Sequence, residues 1–239
     1  MDIGTPQFWF AALEIIVINI LLSGDNAVVI ALACRNLPPH QRRWGVIWGA
    51  VGAIVLRIIL TFFAVSLLQL SYLKIIGGLL LVWIGIKLIA EEETEGGHEI
   101  QASDKMMSAI RTVVIADLVM SIDNVLGVAA AAKGSLLLLV FGLVVSVPLV
   151  IGGAQLIMRL IERFPILIVA GGGLLGYVAG ELIVEDSAIA EWVHVNAAWL
   201  TWAAPAAGVV LVVGVAKWLQ RHRAHHAEQA NAGLPPSAL

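Results

Sequence analysis

Seven apolar stretches, each close to the roughly 20 residues that a bilayer core demands of a crossing helix, limit what this chain can fold into. Inside a bilayer the backbone finds no water, so a crossing segment must satisfy its own N–H and C=O groups, and an apolar run of this length does so as an α-helix. The spans are expected at 8–33, 45–68, 72–90, 109–132, 135–157, 165–184 and 203–219. Composition agrees: 60% of the 239 residues are hydrophobic and 13% charged, with mean hydropathy +0.94. These values exclude an ordinary soluble domain and point to an all-α polytopic membrane protein. The opening MDIGTPQ has no basic residue, so the first span is expected to stay as a helix and not to be cleaved as a signal peptide. The single cysteine, Cys34, excludes an internal disulfide and a CxxC site.

Basic residues set the orientation, because short cytoplasmic loops carry the excess of Lys and Arg. With the N-terminus outside, Arg35, Arg42, Arg43, Lys87, Lys105, Arg111, Arg159, Arg163, Lys217, Arg221 and Arg223 all fall inside, and only Lys74 and Lys133 fall outside. The remaining basic residue, Arg57, lies within the second span, where it must snorkel, pair with an acid or face a wet cavity. The expected topology is N-out and C-in. Gly172, Gly176 and Gly180, four apart, and Gly77, Gly78 and Gly85 suit close helix packing. Trp9, Trp44, Trp192, Trp199, Trp202 and Trp218 fall near span ends, where indoles anchor at the interface.

The chain also repeats itself. At an offset of 98 residues, NILLSGDNAVVIALA lies on DLVMSIDNVLGVAAA, pairing Asn19 with Asp117, Ser23 with Ser121, Asp25 with Asp123 and Asn26 with Asn124. At an offset of 94, IGGLLLVWIGIKLI lies on AGGGLLGYVAGELI. A unit of three spans is odd, so its second copy enters the membrane from the opposite side, as in transporters built from inverted repeats. The expected architecture is seven transmembrane helices as a 3+3 inverted repeat plus one. Its parts are a first three-helix repeat (8–90), a cytoplasmic acidic loop (91–108), a second, inverted repeat (109–184), a seventh helix (203–219) and a mobile cytoplasmic tail (220–239).

An acid within a span costs about 2.5 to 3.5 kcal/mol on insertion scales, which makes function the default reading of Asp25 and Asp123. On a straight helix, at about 100° per residue, Asn19, Ser23 and Asn26 share one stripe while Asp25 lies about 120° away. Local unwinding at Ser23–Gly24 brings Asp25 and Asn26 toward one ligand and frees carbonyl oxygens; the second copy has Ile122 in place of Gly24. Oxygen donors of Asp, Asn and Ser suit hard cations such as Mn²⁺, Mg²⁺ and Ca²⁺, and two carboxylates balance one divalent charge. When the ion leaves, two neighbouring acids repel, so proton uptake follows and metal/proton exchange is physically natural. Asp117, Glu14 and Glu181 are candidate proton relays or supporting residues, and Asn19, Ser23 and Ser121 supporting polar groups.

The paired SGDNAVVIALA and SIDNVLGVAAA segments, with the basic RNLPPHQRR loop, resemble the TerC family of integral membrane proteins, most closely its YjbE-like branch. The resemblance covers nearly all of 8–219. It implies a seven-helix fold and manganese efflux as the activity attributed to several relatives, with metal positions carried over to Asp25, Asn26, Asp123 and Asn124. The expectation is therefore a multi-pass inner-membrane exporter of a divalent cation, foremost Mn²⁺, exchanged for protons, with no cofactor and no catalytic residue. Its partners are membrane lipid, the cation and protons. Oligomeric state is left open. An amino-acid exporter and a non-transporting accessory protein for metallation or assembly are the alternatives. An intramembrane aspartyl protease lacks its GxGD signature and leaves the repeat unexplained. The histidines of the tail (His222, His225, His226) and the acidic EEETEGGHE loop read as solvated segments, and no P-loop, HExxH or nucleic-acid-binding pattern is present.

Overall fold

Apolar runs of this composition have no alternative to helix in a membrane, and every regular element among the described residues of the computed structural model is an α-helix. The structure describes residues 6–21, 24–68, 70–91, 102–131 and 136–232. The helices are α1 (Pro6–Leu21), α2 (Gly24–Cys34), α3 (Pro39–Leu68), α4 (Leu73–Ala90), α5 (Ala102–Ala131), α6 (Leu136–Arg163), α7 (Ile166–Val184), α8 (Ala190–Asn196) and α9 (Leu200–Ala232).

Five segments are long and apolar enough to cross a membrane by length and composition: Pro39–Phe63, Leu73–Ala90, Leu139–Arg163, Ile166–Val184 and Leu200–Arg223. They coincide with the spans expected at 45–68, 72–90, 135–157, 165–184 and 203–219. The other two expected spans are those that carry the DN pair. The span at 8–33 falls on α1 and α2, with residues 22–23 outside the described set, and the span at 109–132 falls within α5. Several helices run past the apolar segment: α3 starts at Pro39, α5 at Ala102, and α9 continues to Ala232, through about two thirds of the expected tail. A helix keeps its own hydrogen bonds in water as well as in lipid, so hydropathy marks the span and not the helix end. The acidic stretch 92–101 and residues 233–239 lie outside the described residues.

One core cluster joins α2 to α5 and α6 through Ile30, Leu32, Val113, Met120 and Met158, and extends to Leu81 and Ile84 of α4 and Leu175 of α7. A second holds Phe8 and Ile15 of α1 against Ile54 of α3 and Leu143 of α6. The contacts have a regular pattern. Exchanging α1–α2, α3 and α4 for α5, α6 and α7 turns the packing of α1 and α2 on α6 into that of α5 on α3, and α2–α7 into α5–α4. The pairs α2–α5, α3–α6 and α4–α7 map onto themselves.

Glycines make the closest of these contacts possible. A Cβ on Gly176 or Gly180 would meet the α9 backbone at Gly208 and Ala204, and one on Gly78 would meet the Ala179 carbonyl at 2.8 Å. These are the close approaches expected of the four-residue glycine spacing. Outward faces carry the opposite character: Phe62 and Phe63 of α3, Leu79 of α4 and Val210 of α9 are all exposed. The six expected interface tryptophans are each more than half exposed, as anchors at a headgroup boundary would be.

The helix ends tie together in two groups. At the end of α4, Arg35 and Asn36 donate to the Glu91 carbonyl at 2.6 and 3.2 Å, Gln220 donates to Ile89 and Arg223 to Ala90. Donors there satisfy carbonyls that the last helical turn leaves free. The Arg42–Glu162 pair, at 2.5 Å, joins the start of α3 to the end of α6.

Candidate functional site

Gly24 opens α2, which puts Asp25 and Asn26 in its first turn. Amide N–H groups in a first turn lack helical partners, and a negative charge is favoured there by the helix dipole. Asp25 uses this position: its Oδ1 accepts the Asn26 N–H at 2.7 Å. Asp25 is half-buried, whereas Asn26 is only 5% exposed. Neither Oδ1 nor Nδ2 of Asn26 has a hydrogen-bond partner among the described residues. A buried amide left so costs on the order of 1–3 kcal/mol for each unsatisfied group, and an exception of this kind calls for a reason.

The second polar centre lies between α3 and α5. Arg57, 3% exposed, places Nη2 at 2.5 Å from Asp117 Oδ1 and donates from Nε to Ser121 Oγ at 3.1 Å. Ser121 in turn donates to the other Asp117 oxygen at 3.2 Å. Asp117 and Ser121 are one helical turn apart, so both face α3 from the same side of α5. Of the three fates open to an arginine within a span, Arg57 takes the ion pair. α2, which carries Asp25, packs against both α3 and α5.

The backbone of Asp123 and Asn124 belongs to α5, two residues past Ser121, but their side chains lie outside the described residues. Ser23 and the side chains of Glu14 and Asn19 also lie outside them. Glu181 is half-buried on α7, one turn after Tyr177. Among the described residues, no three His, Cys, Asp or Glu side chains gather into a metal-holding group. Two cavities lie along the α4–α5 seam. One of about 390 Å³ is lined by Trp83, Lys87, Arg111 and Thr112, and one of about 150 Å³ by Leu73, Lys74, Ile122 and Glu185. Asp117 and Ser121 line neither.

Two features escaped the sequence reading. The first is the partner of Arg57, for which one signal existed: Asp117 is the acid whose repeat counterpart, Asn19, is neutral. The second is Asp186, fully buried just past α7. Its carboxylate accepts the N–H groups of Tyr72 at 2.9 Å, Lys74 at 2.9 Å, Ile75 at 3.2 Å and Ala188 at 2.8 Å. It thereby caps α4 from another element and steadies Tyr72 in the left-handed region at φ 68°. Burial pushes this carboxyl up, but the four N–H donors outweigh burial and hold it below the usual carboxylate range. An aspartate in a polar loop after a span carries no pattern that marks it for this role.

Apolar helices with exposed greasy faces around a buried ion pair define a multi-pass membrane protein. The chain belongs to the TerC family: the family model described as integral membrane protein TerC matches residues 4–224. It is 46% identical over 180 residues to the uncharacterized membrane protein YjbE of Bacillus subtilis, covering 75% of this chain and 82% of that one. It is 28% identical to the uncharacterized membrane protein YceF of the same organism, over 73% of this chain and 70% of the relative. Likeness to the inner membrane protein YgdQ of Escherichia coli K12 is 26%, over 77% of this chain and 84% of that one. No solved structure matches the chain.

Proposed function

We propose that this protein is a secondary transporter of the plasma membrane that exports a divalent cation, foremost Mn²⁺, by alternating access in exchange for protons. The observation that carries this reading is the Asp25–Asn26 pair. It offers oxygen donors at a helix start within the membrane, with the buried Asn26 amide unpartnered among the described residues and open to a ligand. Asp123 and Asn124, the matching pair in the second copy, supply the other half of the site. Two carboxylates balance a divalent ion, and on its departure their repulsion favours a proton.

The inverted repeat and the N-out, C-in topology belong to this reading. Support for the repeat comes from helix contacts that largely exchange between the two halves. Support for the topology comes from the hydrogen bonds that gather Arg35 and Arg223 at the end of α4, with Lys74 at its other end. The seven-span count requires α1–α2 and α5 to cross as well.

Proteoliposomes test the proposal. Uptake of Mn²⁺, Ca²⁺, Mg²⁺ and Zn²⁺ is followed with and without a pH gradient, for wild type, Asp25→Asn and Asp123→Asn. Wild type should move Mn²⁺ faster when protons can run the other way, and each variant should lose at least about tenfold of the rate, the scale of one lost charged ligand. Wild type moving none of the four ions would sink the proposal, as would variants that match it.

A further inference from the structure

We infer that the larger cavity of the α4–α5 seam is a binding site for the phosphodiester headgroup of an anionic membrane lipid, held between Arg111 and Lys87. The site is independent of the proposed cation site: neither Asp25 nor Asn26 lines the cavity, and Asp123 stands about 18 Å further along α5 than Arg111 by helical rise. Its depth is the first argument. Lys87 is in the last turn of α4, whose Leu73–Ala90 segment is long and apolar enough to cross a membrane. The cavity therefore lies where hydrocarbon gives way to headgroups, at the α4 end that also gathers Arg35 and Arg223. Basic pockets between spans at this level take lipid phosphates. Trp83, one turn deeper, is more than half exposed, as an indole at that boundary would be.

The lining selects the ligand. A volume of about 390 Å³ is on the scale of small-molecule sites and far larger than a bare ion needs. Ser108, Arg111 and Ile115 follow on α5 at three- and four-residue steps and so share the face that meets the cavity. Arg111 is exposed and has no acid within ion-pair distance among the described residues. Its planar fork can take two phosphate oxygens at once. Lys87 is matched only loosely, by Glu91 at 3.5 Å, and lies 5.6 Å from the Trp83 ring centre, which leaves donors for a second contact. Asp104 also lines the cavity, but it stands in the first turn of α5, about 10 Å from Arg111 along the axis. One phosphodiester thus matches the unneutralised charge of Arg111, which a divalent cation would only add to. Trp83, Ile84 and Met107 offer apolar wall for glycerol and the first acyl carbons, a surface that free phosphate leaves unused.

The test uses full-length protein in dodecyl maltoside, with dioleoyl phosphatidylglycerol, dioleoyl phosphatidylethanolamine and inorganic phosphate as probes. Native mass spectrometry reads the bound probe, and melting temperature reads its effect on the fold. Wild type should hold phosphatidylglycerol at least about tenfold more tightly than either other probe and melt higher in its presence. R111Q should weaken that binding about tenfold, the scale of one lost charge-assisted contact, and K87Q at least about threefold. Ser108→Phe places a ring in the cavity with both charges intact and should also cost about tenfold. K217Q removes an exposed basic residue of α9 that does not line the cavity, and should stay within about twofold of wild type.

Phosphatidylglycerol binding unmoved in R111Q or in Ser108→Phe overturns the inference, as does an equal loss in K217Q, which would mean a diffuse charge effect. Inorganic phosphate held as tightly as phosphatidylglycerol would make this a free-anion site, and phosphatidylethanolamine held as tightly would remove the charge match; either result overturns the assignment. If R111Q or Ser108→Phe aggregates, the other variant and K87Q decide by the same criteria.

Discussion

Asn26 and Asp186 are both buried polar side chains, and they sit at opposite ends of the hydrogen-bonding scale. Asn26 has no partner for either amide group among the described residues, so replacing it should not harm the folded state. Asn26→Leu is expected to leave thermal stability unchanged or raise it by about 1 kcal/mol, while Mn²⁺ transport falls at least about tenfold. Melting in detergent beside a proteoliposome assay checks both; a large loss of stability with transport intact would make Asn26 a structural residue. Asp186 accepts four backbone N–H groups, and Asp186→Asn should cost about 1–3 kcal/mol at neutral pH. Its folded carboxyl lies below the unfolded value of about 3.9, so its contribution is present above that value and is lost as pH falls through the folded one. The gap in melting temperature between wild type and Asp186→Asn should therefore be full at pH 6–7 and close on acidification below about pH 4. A gap that widens on acidification would contradict the capping role. The DN residues were legible in the sequence because their cost in an apolar run and their duplication are both written there. Asp186 was not, because its role comes from a helix start more than 100 residues earlier in the chain.

At the scale of helices, the glycine stripe of α7 makes a prediction that propensity alone would get wrong. Glycine is a poor helix former, so replacement should stabilise an isolated helix. In α7, however, a side chain at Gly176 would run into the Gly208 backbone of α9. Gly176→Leu is expected to destabilise by about 3 kcal/mol or more, seen as a lower melting temperature and loss of monodispersity on size exclusion. Gly214 of α9 has open space around it, and Gly214→Ala should be neutral or stabilising by up to about 1 kcal/mol. Equal effects at the two positions would mean that α7 and α9 do not pack through glycine. Five candidate spans were legible to within about six residues at their ends because bilayer thickness fixes their length. Helix ends were not: α9 continues to Ala232 and the short α8 stands between α7 and α9, both built from polar or mixed sequence that hydropathy does not see.

Over the whole molecule, the buried Arg57–Asp117 pair joins α3 to α5, α2 with Asp25 packs against both, and the α4 ends are tied by Asp186 and the basic residues Arg35 and Arg223. The duplicated acids pointed to a polar centre from the sequence. The Arg57–Asp117 pair needed the fold, because α3 and α5 meet there through residues 60 apart in the chain. The central claim is that the doubled DN motif is a cation site, and equilibrium Mn²⁺ binding tests it most directly. Paramagnetic resonance of free Mn²⁺ titrated into purified protein should show about one ion held per chain, the number that two carboxylates balance, with Asp25→Asn and Asp123→Asn each weakening it at least about tenfold. Wild-type protein that holds no Mn²⁺, or variants that hold it as tightly, would contradict the account.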